Sequence, residues 1–337
     1  MIIVLLLSSL LLSISLSMLF RRYAISRQVL AMPNERSSHA VATPSGGGAA
    51  IVIGFLICLL LMQFIAPLDS NVLFAIIGAG LFVAVIGFWD DHAHLSMKFR
   101  LIVHFLSAFW ILYWLDLEGL ASLSILNTFL KWSMLLIISV ALVWLLNLYN
   151  FMDGIDGIAT SEAVYISIAL GVFSYIQGQF GLSLMAYSLA VAATGFLFFN
   201  WPPAKIFMGD VGSGFLGITL GGMTLALVLL TQIALPYFLL FGVFIVDATV
   251  TLAARFLRGE RWYTAHCSHA YQHAARRWGH LRVTIVVNLI NVFWLLPFSY
   301  AAYRYPAQSI ALTIMALVPL IIITLSLGAG RNPELNK

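Results

Sequence analysis

The sequence predicts an all-α, polytopic integral membrane protein of about eleven transmembrane helices, and three observations lead there. Charged residues make up 9% of the chain against 62% hydrophobic, with a mean hydropathy of +1.00. A soluble domain carries about a quarter charged residues, so the 13 acids and 17 Lys and Arg among 337 residues cannot coat a water-soluble particle. The apolar residues come in runs close to the length that crosses a hydrocarbon core of about 30 Å. Finally, the cations collect almost wholly on one set of connections.

Taken in order, the apolar runs are 2–20, 47–66, 72–89, 101–117, 132–149, 161–177, 182–199, 214–231, 236–254, 283–302 and 308–328. The first lacks a positive n-region, is too long for a secretory h-region and is followed by Arg21-Arg22. It reads as a retained helix rather than a cleaved signal. The segment 117–131, interrupted by Glu118 and Gly119, reads as an interfacial loop. Cys58 and Cys267 give no disulfide framework. No internal repeat breaks the chain, so residues 1–337 read as one domain.

Eleven spans place the termini on opposite sides. One set of connections holds only Lys131 and Arg304, and the other set, with the C-terminal tail, holds the remaining fifteen cations. By the positive-inside rule the N-terminus is then periplasmic and the C-terminus cytoplasmic. The cytoplasmic loops are 21–46, 90–100, 150–160, 200–213 and 255–282, and they carry nearly everything with chemical character. Five such loops on one membrane face predict a composite site.

Five of the thirteen acids, Asp90, Asp91, Asp153, Asp156 and Asp210, sit at the cytoplasmic ends of spans. A single Asp there would merely mark a solvated helix end. Five beside Gly and Asn point to a site, because an unpaired charge against apolar sequence is costly unless a partner or cation compensates it. Asp90 and Asp91 project about 100° apart on a helix end, so each can meet a different ligand. Asn147, Asn150, Asp153 and Asp156 recur every third residue, which keeps them near one face of the fifth helix and its exit. Phe207-Met208-Gly209-Asp210-Val211-Gly212-Ser213-Gly214 sets an Asp in a glycine-rich turn entering the eighth helix, a natural phosphate cradle. Carboxylates with glycine turns suit Mg²⁺, which takes one or two carboxylates and completes its shell with water and phosphate oxygens.

His266, His269 and His273, spaced i, i+3, i+7 among Arg255, Arg258, Arg261, Arg276 and Arg277, predict one histidine-bearing helical face that holds anionic phosphates. As a zinc site the set lacks completing ligands, and a basic loop can also serve topology alone. Gly46, Gly47 and Gly48, entering the second span, would bring backbone amides near a ligand. Asp247 is the one acid placed well inside a span, where it is a functional candidate or a partner for Arg255 or another polar group.

Together the blocks Gly87–Asp91, Asn147–Gly157, Phe207–Ser213 and His266–Gln272 resemble the polyprenyl-phosphate N-acetylhexosamine-1-phosphate transferase family, the WecA- and MraY-like membrane enzymes. Pro33–His39 and Ser268–Gln272 are nearer the branch that primes O-antigen or related surface-glycan synthesis than the muramyl-pentapeptide branch. The resemblance implies a bacterial inner-membrane enzyme that moves a sugar-1-phosphate from a UDP-sugar to undecaprenyl phosphate and releases UMP. It implies Mg²⁺, with Mn²⁺ as substitute, membrane lipid as surroundings, no nucleic acid, and a homodimer by family analogy. It also implies Asp210 as principal metal ligand and Asp90 and Asp91 as base, nucleophile or metal-positioning groups, Asp91 being the second metal candidate. Asn150 and Asp156 match active-site polar positions, Phe207 an aromatic that stacks the uracil, and His269 the catalytic-loop histidine, with His266 beside it. Ser45 departs from the family, which usually has a basic residue there; Arg36 or Lys205 would supply the phosphate contact instead.

Direct in-line attack of the lipid phosphate on the sugar-bearing phosphorus fits these parts, and a two-step route through a phosphoryl-Asp stays open. A cation-coupled transporter, the rival class, requires acids at the midplane of several spans, where the sequence offers Asp247 alone. An intramembrane aspartyl protease requires glycine where Phe207 stands.

Overall fold

The computed structural model describes residues 2–32, 42–93, 95–115, 128–260 and 266–331. These are all-α apart from one two-residue antiparallel pair. The elements are α1 (Ile2–Ser26), β1 (Leu30–Ala31), β2 (Thr43–Pro44), α2 (Gly48–Met62), α3 (Ser70–Ala93), α4 (Met97–Trp114), α5 (Thr128–Met152), α6 (Ile158–Ile176), α7 (Phe180–Asn200), α8 (Asp210–Thr231), α9 (Leu235–Leu239), α10 (Gly242–Leu257), α11 (Ala270–Trp278), α12 (His280–Ile290), α13 (Leu296–Arg304) and α14 (Ser309–Ser326).

Each apolar run of the sequence falls largely on helix, and the described helices include eight long and apolar enough to cross a membrane. The protein is therefore a multi-pass membrane protein. The runs differ in detail. That at 236–254 is broken into α9 and α10 by a turn at Leu240 and Phe241. That at 283–302 runs through α12 and α13 with a π-helical turn at Asn291–Leu295 between them. Pro297, in the first turn of α13, has no amide to donate backwards, and a widened turn just before it accommodates that gap. α4 begins before its apolar run because the Ser96 hydroxyl accepts from the Phe99 amide at 3.4 Å, capping the helix ahead of Lys98 and Arg100. Most of the expected interfacial loop, 116–127, lies outside the described residues.

α8 is the axis of the fold. It is buried along most of its length and packs on α3 and α5, while α6 and α7 pair beside it and α1 lies on α2 and α7. Lipid gives helices no hydrophobic reason to associate, so close packing by small residues takes over. Gly48 at the start of α2 faces Gly212 of α8, where an added Cβ would strike the Gly212 backbone. On α1 only Ser9, Ser13, Ser17 and Ala24 are buried; Ser13 Oγ donates to the Ala192 carbonyl of α7 at 2.6 Å. Of the other α1 side chains, Ile2, Leu5, Leu6, Ile14 and Phe20 pack partly against the core and many of the rest face outward, as does about half of α14.

Asp247 is not the only acid within the helices. Glu162, near the start of α6, is fully buried and accepts from Asn291 at the π-helical turn. Among the described residues the two do not form a path of acids: Asp247 and Glu162 sit on different helices, each with its own polar partner.

Candidate active site

The site is built around the first turn of α8. Gly209, just before it, has φ +74°, and an added Cβ would lie 2.5 Å from Asp91 Oδ2. Both the backbone and the neighbouring carboxylate therefore require glycine. Asp91, near the end of α3, accepts from the Asp210 amide at 3.0 Å and the Val211 amide at 3.4 Å. Its charge satisfies two of the amides that a helix N-terminus leaves unpaired, at the positive end of the α8 dipole.

Asp90 projects to a different set of partners. Its Oδ1 accepts from the Leu95 amide and its Oδ2 from Arg100 Nη1, each at 2.5 Å. The same Arg100 nitrogen donates to Asp210 Oδ2 at 2.6 Å. One guanidinium thus clamps carboxylates from α3 and α8. By sequence Arg100 counted only towards membrane topology; its signal was a cation in the first turn of an apolar helix, just beyond a carboxylate pair.

The triple glycine does not do what the sequence suggests. Gly47 and Gly48 donate their amides to the carbonyls of Phe207 (2.9 Å) and Met208 (2.8 Å), and Phe207 donates to the Pro44 carbonyl at 2.8 Å. These amides hold the Phe207 turn rather than a ligand. A Cβ on Gly47 would press on Phe196 and Ile206, so closeness between backbones is what these glycines supply. Gly46 is nearer the acids, its Cβ position 3.9 Å from Asp91 Oδ2. Lys205 is exposed, 5.9 Å from the Phe198 ring centre, and lines neither cavity described below. Arg36 lies outside the described residues. Ser45 does reach the site.

At the end of α5, Asn147 donates to the Val143 carbonyl (2.7 Å) and Asn150 Oδ1 accepts from Ser213 Oγ of α8 (3.0 Å). Asp156 accepts from the Ala204 amide at 3.1 Å and pairs with His280 at 3.3 Å, while Thr284 donates to its carbonyl at 2.9 Å. Buried Asn200 accepts from Thr160 (2.7 Å) and donates to the Ile206 carbonyl (3.0 Å), fixing the turn that presents Phe207. Asn200, His280 and Thr284 carried no sequence signal beyond being polar at helix ends. Asp153 differs from the other four acids: none of the described residues donates to its carboxylate. Burial, reinforced by Asp210, Asp91 and Asp156, pushes its pKa well above the usual carboxylate value.

The histidines do not share a helical face. The chain is non-helical from His266 through His269, and α11 starts only at Ala270. The reason is Asp247 of α10, whose carboxylate accepts from the amides of Ala270 (2.9 Å) and Tyr271 (2.8 Å), from Thr251 (3.1 Å) and from His269 Nδ1 (3.3 Å). It caps α11 and orients the His269 ring. His266 stacks on that ring with centres 4.9 Å apart. Burial, then His269 and Arg255, lower the pKa of His266 to about 3, which keeps it neutral. His273, on α11, instead meets the Arg331 carbonyl at 3.2 Å. Arg255 pairs with Glu260 at 2.8 Å and not with Asp247.

Two cavities meet at Asp210. The larger, about 670 Å³, runs between α3, α4 and α5. Arg100, Asn147, Asn150, Asp210, His266 and His269 line its polar end, and Ile86, Leu101, Phe105, Val140 and Trp144 belong to its apolar remainder. The smaller, about 170 Å³, is lined by Ser45, Asn150, Asp153, Asp156, Asn200, Phe207 and Asp210 among others. Asn150 and Asp210 line both.

Residues 73–228, which span α3 to α8, match the family described as glycosyl transferase family 4. A phospho-N-acetylmuramoyl-pentapeptide-transferase of Streptococcus pneumoniae (strain Taiwan19F-14) is 33% identical over 224 residues, 62% of this chain and 67% of the relative. The chain belongs to glycosyl transferase family 4. A second relative, from Bacillus subtilis (strain 168), is described as a probable undecaprenyl-phosphate N-acetylglucosaminyl 1-phosphate transferase. It is 29% identical over 324 residues, 93% of this chain and 87% of the relative. The family match covers the carboxylates of α3, of the turn after α5 and of α8; the longer alignment spans the histidine loop as well.

Proposed function

We propose that this protein transfers an N-acetylhexosamine-1-phosphate (GlcNAc, GalNAc or a 6-deoxy relative) from a UDP-sugar to undecaprenyl phosphate. The products are UMP and undecaprenyl-diphosphate-sugar, which starts an O-antigen or other surface glycan at the cytoplasmic face of the inner membrane. The observation that carries this reading is the meeting of two unlike cavities at Asp210. A largely apolar cavity open among membrane helices suits a polyprenyl chain, and a small polar one behind an aromatic ring suits a nucleotide.

An oxygen of the lipid phosphate attacks the sugar-bearing phosphorus, and the bond from that phosphorus to the UMP oxygen breaks. A phosphate monoester is largely dianionic at pH 7, its second pKa being about 6, so the acceptor needs placement more than deprotonation. Asp90 is committed to Arg100 and the Leu95 amide, which suits a positioning role. Phe207 offers a face for the uracil, and His269, held by Asp247 through Nδ1, presents Nε2 to the larger cavity.

The residues present fit a divalent cation. Asp153 and Asp210 line one small cavity, and Asp153 has carboxylates for electrostatic neighbours. The described residues contain no group of three or more His, Cys, Asp or Glu placed to hold a metal ion, so water and phosphate oxygens would have to complete a Mg²⁺ shell there. Asp210 and Asp153 would hold the ion, with Asp91 fixing the helix end behind them. Bound there, Mg²⁺ or Mn²⁺ supplies charge neutralisation for the diphosphate and the departing UMP.

The Streptococcus relative favours a second donor, UDP-N-acetylmuramoyl-pentapeptide. Purified protein is therefore given undecaprenyl phosphate, Mg²⁺ and a panel of UDP-sugars that includes this nucleotide, and UMP release is measured. Release with a UDP-N-acetylhexosamine supports the proposal; release with the pentapeptide nucleotide alone replaces the donor; no release with any donor rejects it.

A further inference from the structure

His104 has no place in the site described so far. It lies on α4 four residues beyond Arg100, and so on the same helical face about 6 Å further from the carboxylates. It is 9% exposed and lines the larger cavity, where the polar lining gives way to Leu101, Phe105 and Val140. Its Nδ1 is buried with no hydrogen-bond partner among the described residues. Its other nitrogen, Nε2, has no partner among them either, yet is not one of the buried atoms, so it is the nitrogen open to the cavity.

The orphaned Nδ1 decides where the proton sits. A buried N–H without an acceptor forfeits a strong donor, whereas a bare ring nitrogen leaves only one lone pair unused. The neutral ring therefore carries its hydrogen on Nε2, and a protonated ring carries one there as well. In either state α4 presents two donors to the cavity, one helical turn apart: Arg100 at the carboxylates and His104 Nε2 at the border with the apolar wall.

Resting on the proposed reaction, we infer that His104 is a binding residue for the acceptor's phosphate, donating from Nε2 to an oxygen at the phosphate end of the polyprenyl chain. A phosphate is the group in that acceptor able to accept at this depth, because all beyond it is hydrocarbon. The hydrogen bond sets how far the chain slides into the cavity, and so holds the attacking oxygen beside Asp210. An oriented bond to a charged oxygen contributes about 1.5–3 kcal/mol, roughly a ten- to hundred-fold change in affinity.

The test measures binding of radiolabelled undecaprenyl phosphate, and of uncharged undecaprenol, to the detergent-purified full chain. H104F keeps the ring volume and lacks the donor; H104Q keeps a donor. Binding of UDP reports that each variant is folded, and H104M replaces H104F if the latter fails that control. The expected result is a loss of about ten-fold or more for undecaprenyl phosphate in H104F, no loss for undecaprenol, and substantial recovery in H104Q. In turnover, the KM for the lipid rises while that for the UDP-sugar holds. Equal losses for both lipids would make His104 a packing residue and overturn the inference. Unchanged lipid affinity in H104F, with wild type still releasing UMP, overturns it while the proposed reaction stands. Failure of wild type both to bind the phosphate lipid and to release UMP rejects the reaction itself, and His104's role with it.

Discussion

The cavity among α3, α4 and α5 and the small one behind Phe207 share Asn150 and Asp210, yet they are built in opposite ways. The large one is walled by side chains of membrane helices, and most of its wall is hydrocarbon. The small one is walled largely by turns and helix ends, and apart from Asp153 several of its polar groups are already fixed: Asp156 by the Ala204 amide and His280, Asn200 by Thr160 and the Ile206 carbonyl. An apolar wall discriminates by length and width, and a fixed polar wall discriminates by hydrogen-bond geometry, which can reject a wrong group far more sharply. Under the proposed reaction, this difference would place tolerance on the acceptor side and selectivity on the donor side.

Asp210 belongs to both cavities, so its loss should have the largest effect. Asp210→Asn is expected to lower transfer about 10³-fold, the scale of removing one electrostatic element at a reacting centre, and to abolish Mg²⁺ binding measured by calorimetry. Normal Mg²⁺ affinity in that variant would remove Asp210 as a ligand.

Next come two substitutions that should separate the cavities. Phe207→Ala removes a stacking surface worth about 1–3 kcal/mol, which is roughly 5- to 150-fold in the KM for the UDP-sugar, with the lipid KM unmoved. Val140→Trp fills the apolar wall and should raise the lipid KM alone, more for the long acceptor than for a short-chain analogue. If both variants shift both KM values together, the division of labour is wrong.

A smaller effect is expected at Asp247→Asn. The shape is kept, but His269 loses its carboxylate and α11 part of its cap. The turnover number should fall about ten-fold or more through misplacement, with faster amide exchange over 266–278 and little change in either KM. The smallest concerns His266. With its pKa lowered to about 3 it stays neutral at every working pH, so any fall in activity between neutral and mildly acidic pH comes from other groups. His266→Gln should therefore keep the wild-type pH profile, and a profile that flattens would show that His266 titrates after all.

Much of the site was legible in the sequence because each block carries its chemistry locally: an Asp pair at one helix end, Asn and Asp at every third residue, an Asp in a glycine turn. What misled were groups whose role depends on what lies opposite. Gly47 and Gly48 looked like ligand-binding amides until Phe207 and Met208 claimed them. The histidine spacing implied one helix face, but Asp247, from another helix, starts α11 after His269. Arg100 and His104 were invisible as site residues, because nothing in their neighbourhood of sequence distinguishes a clamp or a donor from a helix-end cation or a filler.

By itself the sequence determined the membrane setting, the helices, the location of the polar chemistry at their ends and the family. Hydropathy and motif spacing are local properties, and a bilayer obliges each apolar run to satisfy its own backbone as a helix. Only the tertiary structure decided which carboxylate is paired, capped or left open. Asp91 meets the α8 amides and Arg100 meets Asp210 across more than a hundred residues, through the close packing of α3, α4 and α8. In a low-dielectric interior such partners fix where each charge is tolerated, and that is what leaves Asp153 and Asp210 facing the small cavity.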